Sequence, residues 1–386
     1  MRTIAVVTTS RSDYGIYLPI LRRIQDDSIL KLHLIASGMH LSPEFGLTVN
    51  SIEDDGFDIG DRVEMLLSSD TPEGIAKSMG LGTIGFAQAY ARFRPDILLL
   101  LGDRFEMHAA AVAALPFNIP VAHIHGGEST EGVIDEALRH SITKMSHIHF
   151  ASTERYGRRI IQMGEEPLRV VVSGAPSLDN LNNFSPLSDE DLKQTSGLTL
   201  SDSPLLVTYH PVTLEYKQTQ SRTKELLDAL QGTERSIIFT LTNADTEGTT
   251  IISMIREFAR HKNRCQVVDN LGTQSYFTLM SRAAAMVGNS SSGIIEAASF
   301  NLPVVNIGDR QRGRLHGKNV IDVGNNSDEI VAGIKTALTP KFRAGLKDMD
   351  NIYGDGHASE RIVSRLKEVN LDRELMLKHF HDFDGT

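Results

Sequence analysis

The chain has few of the residues that mark secreted, membrane or metal-cluster proteins. Its 386 residues include one cysteine, Cys265, and no tryptophan. A single cysteine excludes an internal disulfide and a cysteine-based zinc cluster, and it fits a reducing compartment. The longest apolar run, Ile97–Leu101, is far shorter than the roughly 20 residues that cross a membrane, and the N-terminus lacks the features of a secretory signal. We therefore expect a cytoplasmic protein with no membrane association.

Positive charge is also scarce. The sequence has 39 Lys and Arg against 49 Asp and Glu, a net charge of −10, and this argues against a nucleic-acid partner. An anionic ligand would need a local basic pocket set against that overall field. The hydrophobic content of 40% is that of an ordinary globular protein, and the length suits two domains.

What the sequence does contain is a pattern that occurs twice. Residues 97–124 and 286–310 each read as an apolar strand, a polar loop, an alanine-rich helix and a Phe-Asn-Xaa-Pro-Val turn into another strand. The repeat predicts an α/β fold of two Rossmann-like domains facing a cleft, with a site beyond the carboxyl ends of the strands. The alternative is that Phe-Asn-Xaa-Pro-Val is only a common way to enter a strand.

Apolar runs that alternate with helical periodicity predict mostly parallel sheets. In the first half we expect strands at 3–8, 31–36, 97–101, 120–124, 147–151 and 169–172, and helices at 15–26, 72–92, 105–115, 133–145 and 154–162. In the second half we expect strands near 205–209, 236–240, 266–268, 285–288, 303–307 and 319–323.

A turn at 173–176 and the polar stretch 182–203 indicate a domain junction. We expect residues 1–178 to form an N-terminal domain, joined by a C-terminal helix at 366–386. Residues 179–365 would then form the second domain.

The loop after the first strand, residues 8–15, lacks the Gly-Xaa-Gly-Xaa-Xaa-Gly fingerprint. A nicotinamide cofactor is therefore not expected there. Arg11 is a candidate phosphate ligand, because a guanidinium matches two phosphate oxygens, and Asp13 is a candidate contact beside it. The alternative is a helix-capping Asp13 next to a solvated Arg11.

Segment 288–296 follows a strand and opens a helix, and a helix start suits a pyrophosphate. The serine hydroxyls add donors, Gly293 would let a ligand approach the backbone, and Glu296 would accept from ribose hydroxyls. Helix capping alone is the alternative. The cluster at 308–314 holds three arginines, and it predicts a phosphate clamp built from Arg310 and Arg314.

In the first half, Asp103, Glu128 and Asp135 are expected to bring three carboxylates to one rim. Crowded like charges raise at least one pKa, which helps acid–base chemistry. Arg104 and Arg139 are candidate substrate contacts. Arg139 lies four residues after Asp135, so a plain helical ion pair is the alternative.

Three histidines complete the set of candidates. His123 and His125 share one face of a strand, and with a carboxylate they would suit zinc. No further ligands show fixed spacing, so we expect satisfied histidines in a pocket wall and no metal. His210 stands at a strand end before Pro211, and a purely structural role is its alternative.

Taken together, the motifs resemble the hydrolysing UDP-N-acetylglucosamine 2-epimerases of sialic-acid biosynthesis, from about residue 3 to residue 325. They are Ser-Arg-Ser-Asp-Tyr-Gly, Gly-Asp-Arg-Phe-Glu, His-Ile-His-Gly-Gly-Glu, Arg-His-Ser-Ile-Thr-Lys-Met-Ser-His, His-Pro-Val-Thr, Gly-Asn-Ser-Ser-Ser-Gly and Gly-Asp-Arg-Gln-Arg-Gly-Arg. The resemblance implies a glycosyltransferase-B fold, no metal or redox cofactor, and a homodimer or homotetramer. It also implies conversion of UDP-N-acetylglucosamine and water to N-acetylmannosamine and UDP.

The resemblance assigns roles to individual positions, with the second domain binding UDP. The implied UDP contacts are Arg11, Asn243, Ser290, Ser291, Glu296 and Arg310. Asp103, Asp135 and His210 match acid–base or sugar-contacting positions, and Asp179 matches a sugar contact. Several members have a carboxylate where this chain has His125, so that role passes to Glu128, to His125 itself or to a neighbour such as Glu131.

The candidate residues thus form a catalytic group and a larger binding group. The catalytic candidates are Asp103, Glu128, Asp135, His125 and His210. The substrate-binding candidates are Arg11, Asp13, Arg104, His123, Arg139, Asp179, Asn243, Ser290, Ser291, Ser292, Gly293, Glu296, Arg310 and Arg314.

The chemistry of the sugar favours elimination. C2 bears an acetamido group and no carbonyl, so its proton is not acidic, and UDP must leave C1 as a base removes that proton. Three alternatives remain open. They are a hydrolysing epimerase of UDP-2,4-diacetamido-2,4,6-trideoxyglucose on the legionaminic-acid route, a UDP-sugar glycosyltransferase, and a non-enzymatic sugar-nucleotide sensor.

Overall fold

The fold was analysed on a computed structural model that describes residues 1–69, 71–131, 133–241, 248–269 and 271–382. The chain divides into two compact units. The first comprises Met1–Glu128, Asp135–Asn182 and Tyr353–Thr386, and the second comprises Ser129–Ile134 and Asn183–Ile352.

The first unit is built on a seven-stranded parallel sheet with strand order β3-β2-β1-β4-β5-β6-β7. Its strands are β1 (Arg2–Thr8), β2 (Leu30–Ser37), β3 (Ile59–Val63), β4 (Ile97–Leu101), β5 (Val121–Ile124), β6 (Ile148–Ala151) and β7 (Val170–Val172). Its first helices are α1 (Arg11–Gln25), α2 (Val49–Asp54), α3 (Pro72–Arg92), α4 (Phe105–Ala114), α5 (Asp135–Met145) and α6 (Glu154–Gln162). Every residue of β4 is buried, as expected for a parallel strand covered on both faces.

The second unit repeats this plan with a six-stranded parallel sheet of order β10-β9-β8-β11-β12-β13. Its strands are β8 (Leu205–Thr208), β9 (Ile237–Thr240), β10 (Cys265–Val268), β11 (Ala285–Gly288), β12 (Val304–Ile307) and β13 (Val320–Val323). Its helices are α7 (Asp189–Ser196), α8 (Thr219–Gln231), α9 (Gly248–His261), α10 (Gly272–Arg282), α11 (Ser291–Ile295), α12 (Ser327–Ala337) and α13 (Pro340–Ala344). The expected α/β fold with two Rossmann-like domains is confirmed.

The chain returns to the first unit through α14 (Ala358–Glu368) and α15 (Arg373–Met376). The return begins at Tyr353, earlier than the expected residue 366. The reason is local bonding: the backbone N–H of Ala175 donates to the carbonyl of Tyr353 over 2.7 Å, and apolar side chains of α14, such as Ile362 and Leu366, lie in the core of the first unit.

The repeated Phe-Asn-Xaa-Pro-Val turn has the same geometry in both units. Asn118 has φ of 51° and Asn301 has φ of 50°, and each ends a short 3-10 turn before β5 or β12. Both residues therefore adopt the left-handed conformation, which Asn tolerates better than most residues. The shared conformation explains why the motif appears twice.

Two local expectations differ from the structure. β3 was not predicted, because its sequence Ile-Gly-Asp-Arg-Val carries polar residues and a glycine that weaken a strand pattern. Helix α1 begins at Arg11 rather than 15, because Ser10 caps it. Among the described residues, the structure contains no helix both long enough and apolar enough to serve as a membrane span.

Candidate functional site

In both sheets the strand order reverses at one place, and the candidate residues follow the strands there. The reversal lies between β1 and β4 in the first unit and between β8 and β11 in the second. Arg11 follows β1, Asp103 follows β4, His210 follows β8 and Ser290 follows β11. Ligands of open α/β sheets bind outside the carboxyl ends of the strands at such a switch point.

Asp13 lies in the first turn of α1 and forms a capping box with Ser10, the N-cap residue. Its carboxylate accepts hydrogen bonds from the backbone N–H groups of Thr9 and Ser10, each at 2.9 Å, and from the Thr9 hydroxyl at 2.7 Å. Burial alone raises the Asp13 pKa, but hydrogen bonding to His40 and to these groups outweighs it and lowers the pKa. The capping alternative therefore describes Asp13, and direct contact with a ligand stays a prediction.

Arg11 is the first residue of α1 and is partly exposed. Burial lowers the pKa of its guanidinium, while the charge of Asp55 opposes that shift. An arginine remains cationic at any working pH. The side chain is thus a permanent positive charge at the loop that follows β1.

Asp103 lies against a buried arginine. Arg139 is only 1% exposed, and its guanidinium donates to the carboxylates of Asp103 and Glu136 and to the carbonyl of Glu128. A buried guanidinium with these partners holds Asp103 in one position and favours its ionised form. Arg139 therefore positions Asp103, and the expected contact between Arg139 and a substrate stays a prediction.

Arg104, next in the chain, is engaged with Glu106. Two guanidinium nitrogens of Arg104 donate to the two carboxylate oxygens of Glu106 at 3.2 and 3.1 Å. Burial raises the pKa of Glu106, and the charge and hydrogen bond of Arg104 oppose that shift. Glu106 is fully buried, and it was absent from the predicted set although it lies within the Gly-Asp-Arg-Phe-Glu motif.

His123 is a satisfied histidine inside the sheet. Its Nε2 lies 2.7 Å from the carbonyl of Gly102 and its Nδ1 lies 3.2 Å from the Thr143 hydroxyl. Burial lowers the pKa of His123 to about 3, against the opposing effect of the bond to Gly102. The ring is therefore neutral near physiological pH.

His125 and Glu128 form a buried pair after β5. The Nδ1 atom of His125 lies 2.6 Å from Oε1 of Glu128, and the Ser152 hydroxyl donates to the same oxygen over 2.7 Å. Glu128 is fully buried. Of the two glycines between them, Gly127 is required, because its φ is 76° and a Cβ on it would lie 2.4 Å from the carbonyl oxygen of Tyr156.

Two further carboxylates of the first unit lie at helix starts. Asp135 is the first residue of α5 and is partly exposed. Asp179 accepts from the backbone N–H groups of Ala358 and Ser359 at 2.9 and 2.7 Å, so it caps α14. This capping role holds both oxygens of Asp179 at the helix start, and the sugar contact expected for Asp179 stays a prediction.

In the second unit, Asn289 fixes the backbone of His210. Its Oδ1 accepts from the His210 N–H at 2.7 Å, and its Nδ2 donates to the His210 carbonyl at 2.9 Å. The Asn289 carbonyl in turn accepts from Arg310 at 3.1 Å and from Gln311 at 2.8 Å. One fully buried amide thus joins the ends of β8 and β11 to the loop that carries the arginines.

The serine loop differs in detail from the expectation. Ser290 caps α11, and its hydroxyl lies 3.0 Å from that of Ser292, which also contacts the Tyr276 hydroxyl at 2.5 Å. Helix α11 has only five residues, so its dipole is small. A Cβ on Gly293 would meet Val304 at 3.0 Å, so this glycine allows packing against β12, and its expected role in admitting a ligand stays a prediction.

The remaining candidates of the second unit lie near this loop or outside the described residues. Arg310 and Arg314 are partly exposed, and Glu296 is buried at the end of α11. Asn243 lies outside the described residues. Within the described ranges, no group of three His, Cys, Asp or Glu side chains is arranged to hold a metal ion.

Sequence reasoning missed three residues that organise these sites: Glu106, Ser152 and Asn289. Asn289 could have been predicted from the sequence, because it lies in Gly-Asn-Ser-Ser-Ser-Gly directly after a predicted strand. Ser152 gave no signal, since its partner Glu128 lies far away in sequence.

A sequence model of the family described as UDP-N-acetylglucosamine 2-epimerase matches residues 22–367. A Campylobacter jejuni protein named GDP/UDP-N,N'-diacetylbacillosamine 2-epimerase (hydrolyzing) is 40% identical over 384 residues, or 99% of each chain. A Legionella pneumophila protein named UDP-N,N'-diacetylbacillosamine 2-epimerase (hydrolyzing) is 38% identical over 379 residues, or 98% of this chain and 99% of its own.

Solved structures share the fold. The UDP-GlcNAc 2-epimerase of Neisseria meningitidis, in a crystal with UDP-GlcNAc, superposes with a TM-score of 0.79 at 19% identity, covering 96% of this chain and 100% of that one. This similarity confirms the glycosyltransferase-B type of α/β fold. The extent of the family match, together with the identity to the two relatives, shows that the chain belongs to the UDP-N-acetylglucosamine 2-epimerase family.

Proposed function

We propose that the chain is a hydrolysing 2-epimerase of UDP-2,4-diacetamido-2,4,6-trideoxyglucose, which is UDP-N,N'-diacetylbacillosamine. The observation that carries this proposal is full-length similarity, at 40% and 38% identity, to two proteins named for that sugar. The alternative of the sequence analysis is thereby favoured over its main expectation. UDP-N-acetylglucosamine, for which the family is named, becomes the second candidate substrate.

The proposed reaction is elimination followed by hydration. A base takes the C2 proton, the C2–H electron pair forms the C1=C2 bond, and the C1–O electron pair leaves with UDP. Water then adds to C1 of the glycal while C2 is protonated on the opposite face. No hydride moves, so the chemistry requires no redox cofactor.

Asp103 is the proposed base. Its ion pair with Arg139 favours the ionised carboxylate, which is the form that accepts a proton. The carboxylate follows β4, directly at the switch point of the first sheet. Asp135 and the pair formed by His125 and Glu128 complete the proposed acid–base group of the first unit, with Arg11, Arg104 and His123 as supporting residues.

The second unit is proposed to bind the nucleotide. Arg310 and Arg314 supply positive charge for the pyrophosphate, which must be neutralised as it leaves C1. His210, Glu296, Asn243 and the hydroxyls of Ser290, Ser291 and Ser292 are the other proposed contacts. A cytoplasmic location and assembly into a homodimer or homotetramer stay predictions from the sequence.

The first prediction compares substrates. Purified protein, supplied with each sugar nucleotide in heavy water, is expected to release UDP and to place deuterium at C2 of the free sugar. The diacetamido substrate should give the higher kcat/KM, measured by coupled UDP detection and product NMR. The GDP form of the same sugar belongs in the series, because the Campylobacter protein's name includes GDP.

The matched variant is Asp103→Asn. We expect it to bind UDP normally and to lose about 10²–10⁴-fold in kcat, because that is the usual contribution of a general base. Release of nucleoside diphosphate from none of these substrates would overturn the proposed activity. A free sugar without deuterium would overturn the elimination mechanism, and a higher kcat/KM for UDP-N-acetylglucosamine would reverse the choice of substrate.

A further inference from the structure

The backbone of His125 is held in a conformation that side chains rarely adopt. Its φ is 66°, in the left-handed region, which costs an ordinary residue about 1–2 kcal/mol. The backbone N–H of His125 donates to the Phe150 carbonyl over 3.0 Å, which anchors the residue to β6. Strain of this kind at a strand end is often part of a functional arrangement.

This conformation aims the imidazole at a buried carboxylate. Oε1 of Glu128 lies 2.6 Å from Nδ1 of His125 and 2.7 Å from the Ser152 hydroxyl, which donates to it. An ionised carboxylate only accepts hydrogen bonds, so Nδ1 carries the hydrogen. The other ring nitrogen, Nε2, forms no hydrogen bond with any of the described residues, and the side chain is 9% exposed.

His125 and the proposed base follow two neighbouring strands of the first sheet. Leu101 of β4 is in register with Ile124 of β5, so Asp103 and His125 leave neighbouring strands at nearly the same level. Neighbouring strands are about 4.8 Å apart. Glu128, by contrast, is fully buried, and Glu131 belongs to the second unit, where it pairs with Arg312 at 3.3 Å.

We propose that Nε2 of His125 is the atom that protonates C2 of the glycal, and that Glu128 is a positioning residue that acts only through the imidazole. This assignment rests on the proposed function and divides the roles within its acid–base group. Several members of the family have a carboxylate at the position of His125. The assignment gives the role of that carboxylate to His125 itself, and not to Glu128 or Glu131.

The step balances as follows. The imidazolium gives its Nε2 proton to the C1=C2 electron pair, which becomes the new C2–H bond. The oxygen of a water molecule bonds to C1, and the proton that this water loses passes to solvent. The ring is left neutral, with its Nδ1 hydrogen still bonded to Glu128, and it regains a proton from solvent after the product leaves.

Chemical rescue tests both halves of this assignment. His125→Gly suits the left-handed backbone, because glycine adopts positive φ without strain. We expect it to bind UDP normally and to lose about 10²–10⁴-fold in kcat, and added imidazole should restore at least a tenth of the lost activity. The double variant His125→Gly with Glu128→Gln should not be rescued, since no charge then orients the added ring.

Glu128→Gln alone is expected to lower kcat by about 10–100-fold, the range for partners that orient a ligating imidazole, with KM nearly unchanged. Glu257→Gln is the matched control. It removes the charge from an exposed pair of the same kind, with His261 at 2.9 Å, and it should leave kcat unchanged. Equal kcat for Glu128→Gln and the wild type would overturn the positioning role, and a lack of imidazole rescue in folded His125→Gly would overturn the role of Nε2.

A spectroscopic measurement tests this assignment independently of the proposed function. Nitrogen-15 NMR of the imidazoles, with His125 assigned from the spectrum of His125→Gly, should show hydrogen on Nδ1 in the wild type and a changed tautomer ratio in Glu128→Gln. A protein that shows this pattern but releases UDP from no substrate would contradict the function alone. If the neutral ring carries its hydrogen on Nε2, the proposed hydrogen bond from Nδ1 of His125 to Glu128 is wrong.

Discussion

Asn289 shows how one side chain supports several candidate residues. It pairs with both backbone polar groups of His210 and its carbonyl holds Arg310 and Gln311. Asn289→Ala leaves two buried backbone groups of His210 without these partners, and each such group costs about 1–3 kcal/mol. We therefore expect a lower free energy of unfolding in urea and a lower kcat at temperatures where the variant is still folded.

Asn319→Ala is the control for Asn289→Ala. Asn319 is also fully buried in the second unit, and its amide donates to the Leu302 carbonyl at 3.0 Å, but it holds none of the candidate residues. It should lose stability and keep the kcat of the folded fraction. If both variants lose stability equally and neither loses kcat, Asn289 has no part in positioning His210.

At the level of the helix–strand units, the two left-handed asparagines predict a measurable effect. Asn118 and Asn301 are both exposed, so replacing them changes backbone conformation more than packing. Alanine at either position should lower the free energy of unfolding by about 1 kcal/mol, whereas glycine should be nearly neutral. Urea denaturation of the four single variants measures this, and alanine variants as stable as the glycine ones would contradict it.

Sequence patterns predicted the strands well because parallel strands are continuous apolar runs. Strand β4, with five buried aliphatic residues, is visible as such a run. Strand β3 was not visible, since its alternation of Ile, Gly, Asp, Arg and Val is equally typical of a loop. Element prediction therefore succeeded where burial on both faces leaves an apolar signature and failed where it does not.

The position of the candidate site could be predicted from the sequence better than the contacts that its residues make. The strand end that carries Asp103 follows from the repeat, and the one that carries His210 follows from the predicted strand near 205–209 and from Pro211. The capping role of Asp179 depends on Ala358 and Ser359, which lie far along the chain and give no local signal. The packing role of Gly293 was not predicted for a related reason, because only the position of Val304 shows which side of the glycine is crowded.

At the scale of the whole chain, the C-terminal segment is held to the first unit by charged side chains. Arg169 donates to the carbonyls of Glu374, Leu375 and Leu377. Glu165, which is fully buried, accepts from Lys378 at 2.9 Å. These contacts attach the segment around the last helix to the strand β7 region, and among them the carboxylate of Glu165 is the group that loses its charge in acid.

Glu165 makes this attachment sensitive to acid. Burial alone raises its pKa, but His149, Lys144 and Lys378 outweigh burial and lower the pKa to about 2. A depressed carboxyl pKa stabilises the folded state above the unfolded value of about 4.3, and this contribution is lost as the pH falls from there towards 2. Glu165→Gln should therefore be less stable at pH 7 and should show a weaker decline between pH 5 and pH 2.

Chemical denaturation monitored at several pH values measures this dependence. Glu166→Gln, which alters an adjacent and more exposed carboxylate paired with Arg169, is the comparison. A Glu165→Gln variant whose stability declines with acid as steeply as the wild type would show that other groups dominate the acid response.

The interrupted layout of the first unit constrains the order in which a growing chain can fold. Ile362, Val363, Leu366, Val369 and Leu375 belong to the same core as strands β1 and β4, yet the ribosome makes them after the whole of 183–352. The second unit is synthesised without a break from Asn183 to Ile352, apart from the short piece made earlier at Ser129–Ile134. Nascent chains therefore carry an incomplete core of the first unit, with apolar surface uncovered, until residues 362–375 have been made.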